Sequence, residues 1–182
     1  MSGFEFIFSL FGLLLGLALA EGLGGLSRAV KASHRVRIGL ATTLLGLFVS
    51  CDVVTFWMYG WSLRNVLPLS WPVLFGGFVV TGTYYVAASL IFPDDPDQWD
   101  ALDNHFDKQR RKVLTGVLLC NIALLGTAAF YIGSPPFDTR SVVVTYSFFP
   151  VIALAIATER RRIVMACMTW LISLYPLSAI WM

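Results

Sequence analysis

Six apolar stretches divide this chain, and their lengths limit what it can fold into. Each reaches or approaches the roughly 17 to 25 residues that an α-helix needs to cross a bilayer. They lie near residues 4–27, 38–61, 70–92, 113–133, 141–158 and 162–181. Apolar residues make up 57% of the 182 residues and charged residues only 13%, whereas soluble domains carry about a quarter. We therefore expect an all-α polytopic membrane protein, with residues 1–182 forming one domain of six transmembrane helices.

Two of these stretches leave alternatives open. The fifth is short and contains Pro150, so a count of five spans is also compatible with the pattern. The first ends in Ala18, Leu19 and Ala20, which resembles a signal-peptidase site. However, Glu5 lies where a signal peptide has its basic n-region. We expect the first stretch to be retained as a helix.

The basic residues indicate an orientation. Eleven of the thirteen lie beside three of the connections: Arg28, Lys31, Arg35 and Arg37; Lys108, Arg110, Arg111 and Lys112; Arg160, Arg161 and Arg162. The positive-inside rule places these three connections in the cytoplasm and both termini outside. Without the fifth span the last group would lie on the wrong side, so the charge pattern favours six spans arranged as three hairpins. The outer connections, near 62–69 and 134–140, are too short to hold a domain.

An acidic and then basic segment, PDDPDQWDALDNHFDKQRRK, fills the elbow between the third and fourth spans at 93–112. Trp99, Leu102 and Phe106 are spaced by three and four residues, and Asp97 is a candidate N-cap. This pattern predicts a short amphipathic helix lying on the cytoplasmic surface of the membrane.

The same segment is a weak candidate for a metal site. Asp100, Asp103 and Asp107 form a D-x-x-D-x-x-x-D pattern that resembles the magnesium-diphosphate motifs of membrane prenyltransferases. Carboxylates at this spacing share a helix face and can hold a divalent ion. Those enzymes use two such motifs and more helices, and this chain has one acidic motif. The pattern favours a solvated connector, with calcium binding as a further alternative.

Other chemistry finds little support in the sequence. His34 and His105 both fall in predicted loops, which argues against a haem held between spans and against a histidine-dependent hydrolase. Cys51, Cys120 and Cys167 lie inside predicted spans, where they are typical small packing residues. The basic residues form short clusters beside apolar runs, a pattern not typical of nucleic-acid binding. We expect no catalytic site, no cofactor, no nucleic-acid partner and a lipid bilayer as surroundings.

Two acids, Glu21 and Asp52, lie within predicted spans, where ionisable groups are costly and mark functional sites. At 1.5 Å per residue, Glu21 lies about 10 Å and Asp52 about 20 Å above the cytoplasmic helix ends. Polar residues that lie at the same depth on neighbouring spans are expected to face each other, which predicts two polar layers in the bundle. Tyr84, Tyr85, Asn121 and Thr169 fall near Glu21, and Thr81, Tyr146 and Ser173 near Asp52.

These layers have two interpretations. They could line a route for protons or cations, or each acid could be neutral and fix helix packing through hydrogen bonds. Arg28 lies two turns from Glu21 on the same face and could extend toward it. Pro150 frees the carbonyl of Tyr146, a further candidate ion contact. The predicted path consists of Asp52, Glu21, Tyr84, Tyr85, Asn121 and Tyr146.

A stripe of small residues runs along the first span. Gly12, Gly16, Ala20 and Gly24 recur at every fourth position. Small residues at this spacing allow helix backbones to approach closely in membranes. The stripe predicts a close helix contact, within this chain or with another one.

Four segments carry a family resemblance: FEFIFSLFGLLLGLALAEGLGGLSRAV, HRVRIG, VVTFWMYGW and YYVAASLIFP. The chain resembles a group of small polytopic bacterial inner-membrane proteins to which no activity is assigned. The resemblance implies the bacterial inner membrane and no particular function. Our first hypothesis is a small oligomeric channel or transporter for protons or cations. The alternative is a non-catalytic accessory or assembly subunit of a larger inner-membrane complex.

Overall fold

The structure is a computed structural model that describes residues 3–32, 39–93 and 102–181. In these ranges, six helices are long and apolar enough to cross a membrane. They are α1 (Gly3–Ala32), α2 (Leu40–Ser62), α3 (Trp71–Ser89), α4 (Leu102–Ile132), α5 (Thr139–Ala157) and α6 (Arg161–Ile180). The described ranges contain no β-strand. The predicted all-α fold with six membrane-length helices is confirmed.

The two ends of the bundle differ in charge. The basic end is where α1, α3 and α5 finish and where α2, α4 and α6 begin, and it carries Arg110, Arg111 and Arg160–Arg162. The opposite end carries the 63–70 and 133–138 connections. These two names are used below without reference to a side of a membrane.

α2 is the central helix. It packs against α1, α4 and α6, with a smaller contact to α3. Half of the residues in its most apolar 18-residue segment are buried, compared with 17–28% of the residues in the corresponding segments of the other five helices. Its sequence is apolar on all sides, which is typical of a helix surrounded by others. The buried half of α2, which includes Asp52, is therefore enclosed by protein and not by lipid.

α4 begins eleven residues before the predicted fourth span. Its first turns place Leu102 and Phe106 in the core, each no more than 2% exposed, whereas the Asp107 side chain is 57% exposed. The apolar residues at four-residue spacing therefore face the bundle instead of a membrane surface. Residues 102–112 of the predicted interfacial elbow belong to α4 and do not form a separate helix. Asp97, Trp99 and Asp100 lie outside the described residues, as does the side chain of Asp103.

The first turns of α4 also cap two other helices. Arg110, 5% exposed, donates from Nη1 to the Ala155 carbonyl at 2.9 Å and from Nη2 to the Thr158 carbonyl at 2.8 Å. His105 Nε2 lies 3.0 Å from the Leu90 carbonyl at the end of α3. The last carbonyls of a helix have no partner within it and carry partial negative charge, so these contacts satisfy them. One helix start thus joins α3 and α5 at the basic end.

Removing this cap should destabilise the bundle. We expect Arg110→Ala to lower the free energy of unfolding by about 1–2 kcal/mol, because two hydrogen bonds from a charged donor are lost. Arg111→Ala is the matched control, since its 3.4 Å ion pair with Glu159 is exposed and should contribute less than about 0.5 kcal/mol. Unfolding in mixed detergent micelles would measure both values. Equal losses would contradict a specific role of Arg110.

The tightest side-chain contacts at glycines of the described residues lie outside the predicted stripe. A Cβ on Gly25 of α1 would lie 2.0 Å from the ring of Phe92, and one on Gly77 of α3 would lie 2.0 Å from the ring of Phe11. The Phe92 ring also lies 3.2 Å from the Cβ position of Gly46 on α2. Each of these glycines thus gives room to an aromatic ring, that of Phe11 on α1 or that of Phe92 just after α3.

The predicted stripe lies on another face of α1. A Cβ on Gly16 would meet no described atom within 4 Å, and Ala20 is exposed. A Cβ on Gly12 would lie 3.8 Å from the Trp57 indole, and one on Gly24 would lie 3.6 Å from the guanidinium of Arg28 on its own helix. The middle of the stripe therefore has no close contact with the described part of this chain. Contact with another chain stays a prediction.

α5 is irregular just before Pro150. Residues Val142–Tyr146 form a π-helical turn, in which the Ser147 amide donates to the Val142 carbonyl at 2.9 Å. A proline has no amide hydrogen and its ring clashes with the preceding turn, so a wider turn accommodates it. At the start of α5, the Asp138 carboxylate accepts a 3.0 Å bond from the Ser141 amide. Hydrogen bonding from Ser141 lowers the pKa of Asp138 below its ordinary value.

Candidate functional site

The candidate site is built around Asp52, which is 2% exposed in the middle of α2. Twelve residues separate Asp52 from the start of α2 at Leu40, a distance of about 18 Å along a helix of about 34 Å. Because α2 is enclosed by its neighbours, the carboxyl group faces other helices at this depth. A carboxyl group in such a position needs hydrogen-bond partners.

Three side chains supply these partners, and we call the four residues together the Asp52 cluster. The Tyr84 hydroxyl of α3 donates to Asp52 Oδ2 at 2.7 Å, and Asn121 Nδ2 of α4 donates to the same oxygen at 2.9 Å. The Tyr175 hydroxyl of α6 donates to Oδ1 at 2.9 Å. The carboxyl group therefore accepts bonds from three different helices.

Asn121 also fixes the geometry around Tyr84. Its Nδ2 lies 3.2 Å from the Tyr84 hydroxyl and 3.0 Å from the Val117 carbonyl one turn earlier on α4. Asp52 forms no ion pair with any lysine or arginine that the structure describes. Among the described residues, the carboxyl group therefore accepts hydrogen bonds from neutral side-chain donors.

Helix direction explains why these residues meet. A Cα–Cβ bond tilts toward the start of its helix. Asp52, Asn121 and Tyr175 are on helices that start at the basic end, whereas α3 starts at the opposite end. The Asp52 side chain therefore tilts toward the basic end, and the Tyr84 side chain tilts away from it. Although the Cα of Tyr84 lies nearer the basic end than that of Asp52, the two side chains thus meet.

The predicted polar layers are wrong, and helix direction accounts for the displacement of Tyr84. Tyr84 and Asn121 were expected beside Glu21, but both bind Asp52. The hydroxyls of Thr81, Thr169 and Ser173 donate to carbonyls of their own helices, and that of Tyr146 donates to the Pro135 carbonyl at 2.8 Å.

Glu21 and Tyr85 lie outside the Asp52 cluster. Glu21 is half-buried on α1, and no hydrogen bond or ion pair joins its side chain to another described residue. Arg28 extends back along α1 as far as Gly24. Tyr85 is 38% exposed. Of the six predicted path residues, the structure brings together Asp52, Tyr84 and Asn121.

Tyr175 is the member of the cluster that the sequence analysis missed. It lies fourteen residues after the start of α6 at Arg161, about 21 Å along the helix and close to the depth of Asp52. The same depth estimate that selected Ser173 could have found it, because tyrosine has the longer reach.

The cluster has the chemistry of a site for a proton or a cation. Its groups are one carboxyl, two phenols and one amide. Within residues 3–32, 39–93 and 102–181, no three His, Cys, Asp or Glu side chains lie close enough to hold a metal ion. The three cysteines are free thiols, and Cys120 donates to the Val80 carbonyl at 3.3 Å. The carboxyl group is the one group of the cluster that carries a negative charge when ionised near neutral pH.

Comparisons with protein families, with curated proteins and with solved structures find no match to this chain. The resemblance to small bacterial inner-membrane proteins stays a prediction. Inference about function therefore depends on the geometry described above.

Proposed function

We propose that this protein is a small oligomeric membrane channel or transporter for protons or cations, and that Asp52 binds the transported ion. One observation carries the proposal: a carboxyl group lies in the middle of a membrane-length helix, bonded to neutral donors. Ionisable groups at this depth are costly and are typical of ion and proton paths. A carboxylate without a fixed cation can take up a proton or a cation without breaking an ion pair.

The Asp52 cluster contains the groups that such exchange needs. The phenols of Tyr84 and Tyr175 are both donors and acceptors, so they can turn their hydrogens as the carboxyl group changes state. Asn121 keeps Tyr84 in position through its second contact. The path that we propose includes these residues and omits Glu21, Tyr85 and Tyr146.

Flux measurements in liposomes test this function. We expect purified wild-type protein to carry protons or monovalent cations down an imposed gradient, and Asp52→Asn to abolish the flux with the fold intact. The amide has nearly the shape of the carboxylate but cannot carry its charge. Glu21→Gln is the matched control, since it removes the other acid of the spans, and we expect it to retain the flux. A folded wild type without flux at every pH and membrane potential would refute the proposal.

We also propose that the protein lies in the bacterial inner membrane with its basic end in the cytoplasm. Eleven of the thirteen lysines and arginines lie in or beside the three sequence segments that join α1 to α2, α3 to α4 and α5 to α6, and cytoplasmic loops are rich in these residues. Both termini would then lie outside.

The accessory-subunit hypothesis predicts a different behaviour on purification. Gly16 and Ala20 leave an exposed face on α1 where another helix could approach closely. A second copy at this face supports the oligomeric transporter. Stoichiometric recovery with an unlike membrane protein, together with absence of flux, would favour the accessory subunit.

A further inference from the structure

An apolar cavity of about 350 Å³ lies between α1, α2, α3 and α4 at the opposite end of the bundle. The 67–69 part of the α2–α3 connection contributes to its wall. Binding sites for small molecules measure about 300–1,000 Å³, so this space suits a small organic ligand. Five aromatic residues line it: Phe8, Phe11, Phe56, Trp57 and Tyr131.

The chemistry of the wall excludes a bare metal ion as the occupant. Among the lining residues, side-chain oxygens come from Thr81, Thr127 and Tyr131. The hydroxyls of Thr81 and Thr127 donate to carbonyls of their own helices, each at 2.8 Å. Metal cations such as calcium and magnesium need about six oxygen ligands. Carbon surfaces and aromatic rings instead favour a ligand with an apolar exterior.

Phe56 connects the wall of the cavity to the Asp52 cluster. Phe56 lines the cavity and packs edge-on against the ring of Tyr84, with centroids 5.0 Å apart. The Tyr84 hydroxyl in turn bonds Asp52, and Phe56 follows Asp52 by one turn of α2. The carboxyl group of Asp52 is therefore about one helical turn, some 6 Å along the axis, from this lining residue. In surroundings of low dielectric its field reaches a ligand in the cavity.

We propose that this cavity binds an organic cation with an apolar exterior, and that such a cation is the substrate exchanged for a proton at Asp52. The ring faces attract positive charge, and the carboxylate provides the counter-charge. One carboxylate can either bind a proton or balance the charge of the cation, but not both at once. Binding of the cation is thereby coupled to release of the proton. This inference rests on the proposed function and names its substrate class.

Binding to detergent-solubilised protein tests the inference. The probe is radiolabelled benzyltrimethylammonium, measured by equilibrium dialysis, with its neutral carbon isostere neopentylbenzene as competitor. We expect saturable binding of one probe per chain and displacement by unlabelled probe but not by the isostere. Asp52→Asn should weaken binding about tenfold through the lost charge attraction. Displacement by the isostere at equal concentration would show that the site does not require a positive charge and would overturn the proposal of a cationic substrate.

Two glycines of α3 provide a matched pair of variants. Gly76 lines the cavity and Gly82 does not, and a Cβ on either would meet no described atom within 4 Å. Gly76→Leu should reduce affinity about tenfold or more by occupying the site, whereas Gly82→Leu should leave binding unchanged. Gly76→Val serves if the leucine variant does not fold. Equal effects at the two positions, or no saturable binding to folded wild type, would refute the site.

The outcomes separate this inference from the proposed function. Proton or cation flux without probe binding would overturn the cavity and leave Asp52 as the ion site. Probe binding that is lost in Gly76→Leu, without any flux, would support the cavity and overturn transport.

Discussion

Asp52→Ala should lower the free energy of unfolding by about 2–4 kcal/mol, since three donors lose their acceptor. Hydrogen bonds between membrane helices contribute about 0.6 kcal/mol each on average and up to about 1.7, and bonds to a charged group contribute about 1.5–3. The Tyr84 and Tyr175 hydroxyls and the Asn121 amide would be left in the bundle without this partner. Reversible unfolding in mixed detergent micelles measures the loss.

Two controls make this result specific to the Asp52 cluster. Glu21→Ala removes a carboxyl group that has no described partner, so we expect a change within about 0.5 kcal/mol. Tyr175→Phe removes one of the three bonds and should cost about 1 kcal/mol. In the double variant Asp52→Ala with Tyr175→Phe, the two losses should be less than additive because they share one contact. Additive losses would show that the two side chains do not interact.

Gly25→Ala should also be strongly destabilising, by about 2–3 kcal/mol, the upper part of the range of about 1–3 kcal/mol that is usual for overpacking a core. The added Cβ would lie 2.0 Å from the Phe92 ring, and Phe92 is only 4% exposed, so the ring has little room to move. Thermal unfolding of the purified protein in detergent would show the loss as a lower Tm.

The neighbouring residue supplies the control for Gly25. A Cβ on Gly24 would meet only the Arg28 guanidinium at 3.6 Å, an ordinary contact. Alanine is the better helix former by about 1 kcal/mol, so Gly24→Ala should leave stability unchanged or raise it. Gly24→Ala should therefore be more stable than Gly25→Ala by about 2 kcal/mol or more. Phe92→Leu should partly restore the stability of Gly25→Ala. Equal changes in stability on alanine substitution of the two glycines would contradict the close contact between Gly25 and Phe92.

The number and type of helices could be predicted because they depend on one strong physical constraint. A backbone in lipid must satisfy its own hydrogen bonds, so long apolar stretches become helices. Pro150 did not end its span, since the wider π-helical turn before it accommodates the proline ring. By contrast, the start of α4 depends on whether Leu102 and Phe106 face a membrane surface or the bundle. Their spacing is the same in both cases, so only tertiary packing decides.

The candidate site was predicted in part. Asp52, Tyr84 and Asn121 could be selected because polar groups inside apolar spans are few. Their grouping could not, since depth counted along a helix ignores the length and tilt of side chains. The glycines that contact aromatic rings also could not be selected from local spacing. Regular spacing selected Gly16, whereas the close contact at Gly25 depends on a phenylalanine 67 positions later in the chain.

The donors to Asp52 all follow it in the sequence, which has a consequence for biogenesis. A ribosome makes α2 first, then the tyrosine of α3, the asparagine of α4 and, last, Tyr175 of α6. When α2 leaves the insertion machinery, its acid has none of these partners, so it must enter the bilayer protonated or accompanied by water. The carboxyl group thus favours recruitment of each later helix, and its hydrogen bonding is complete only after α6 has been inserted.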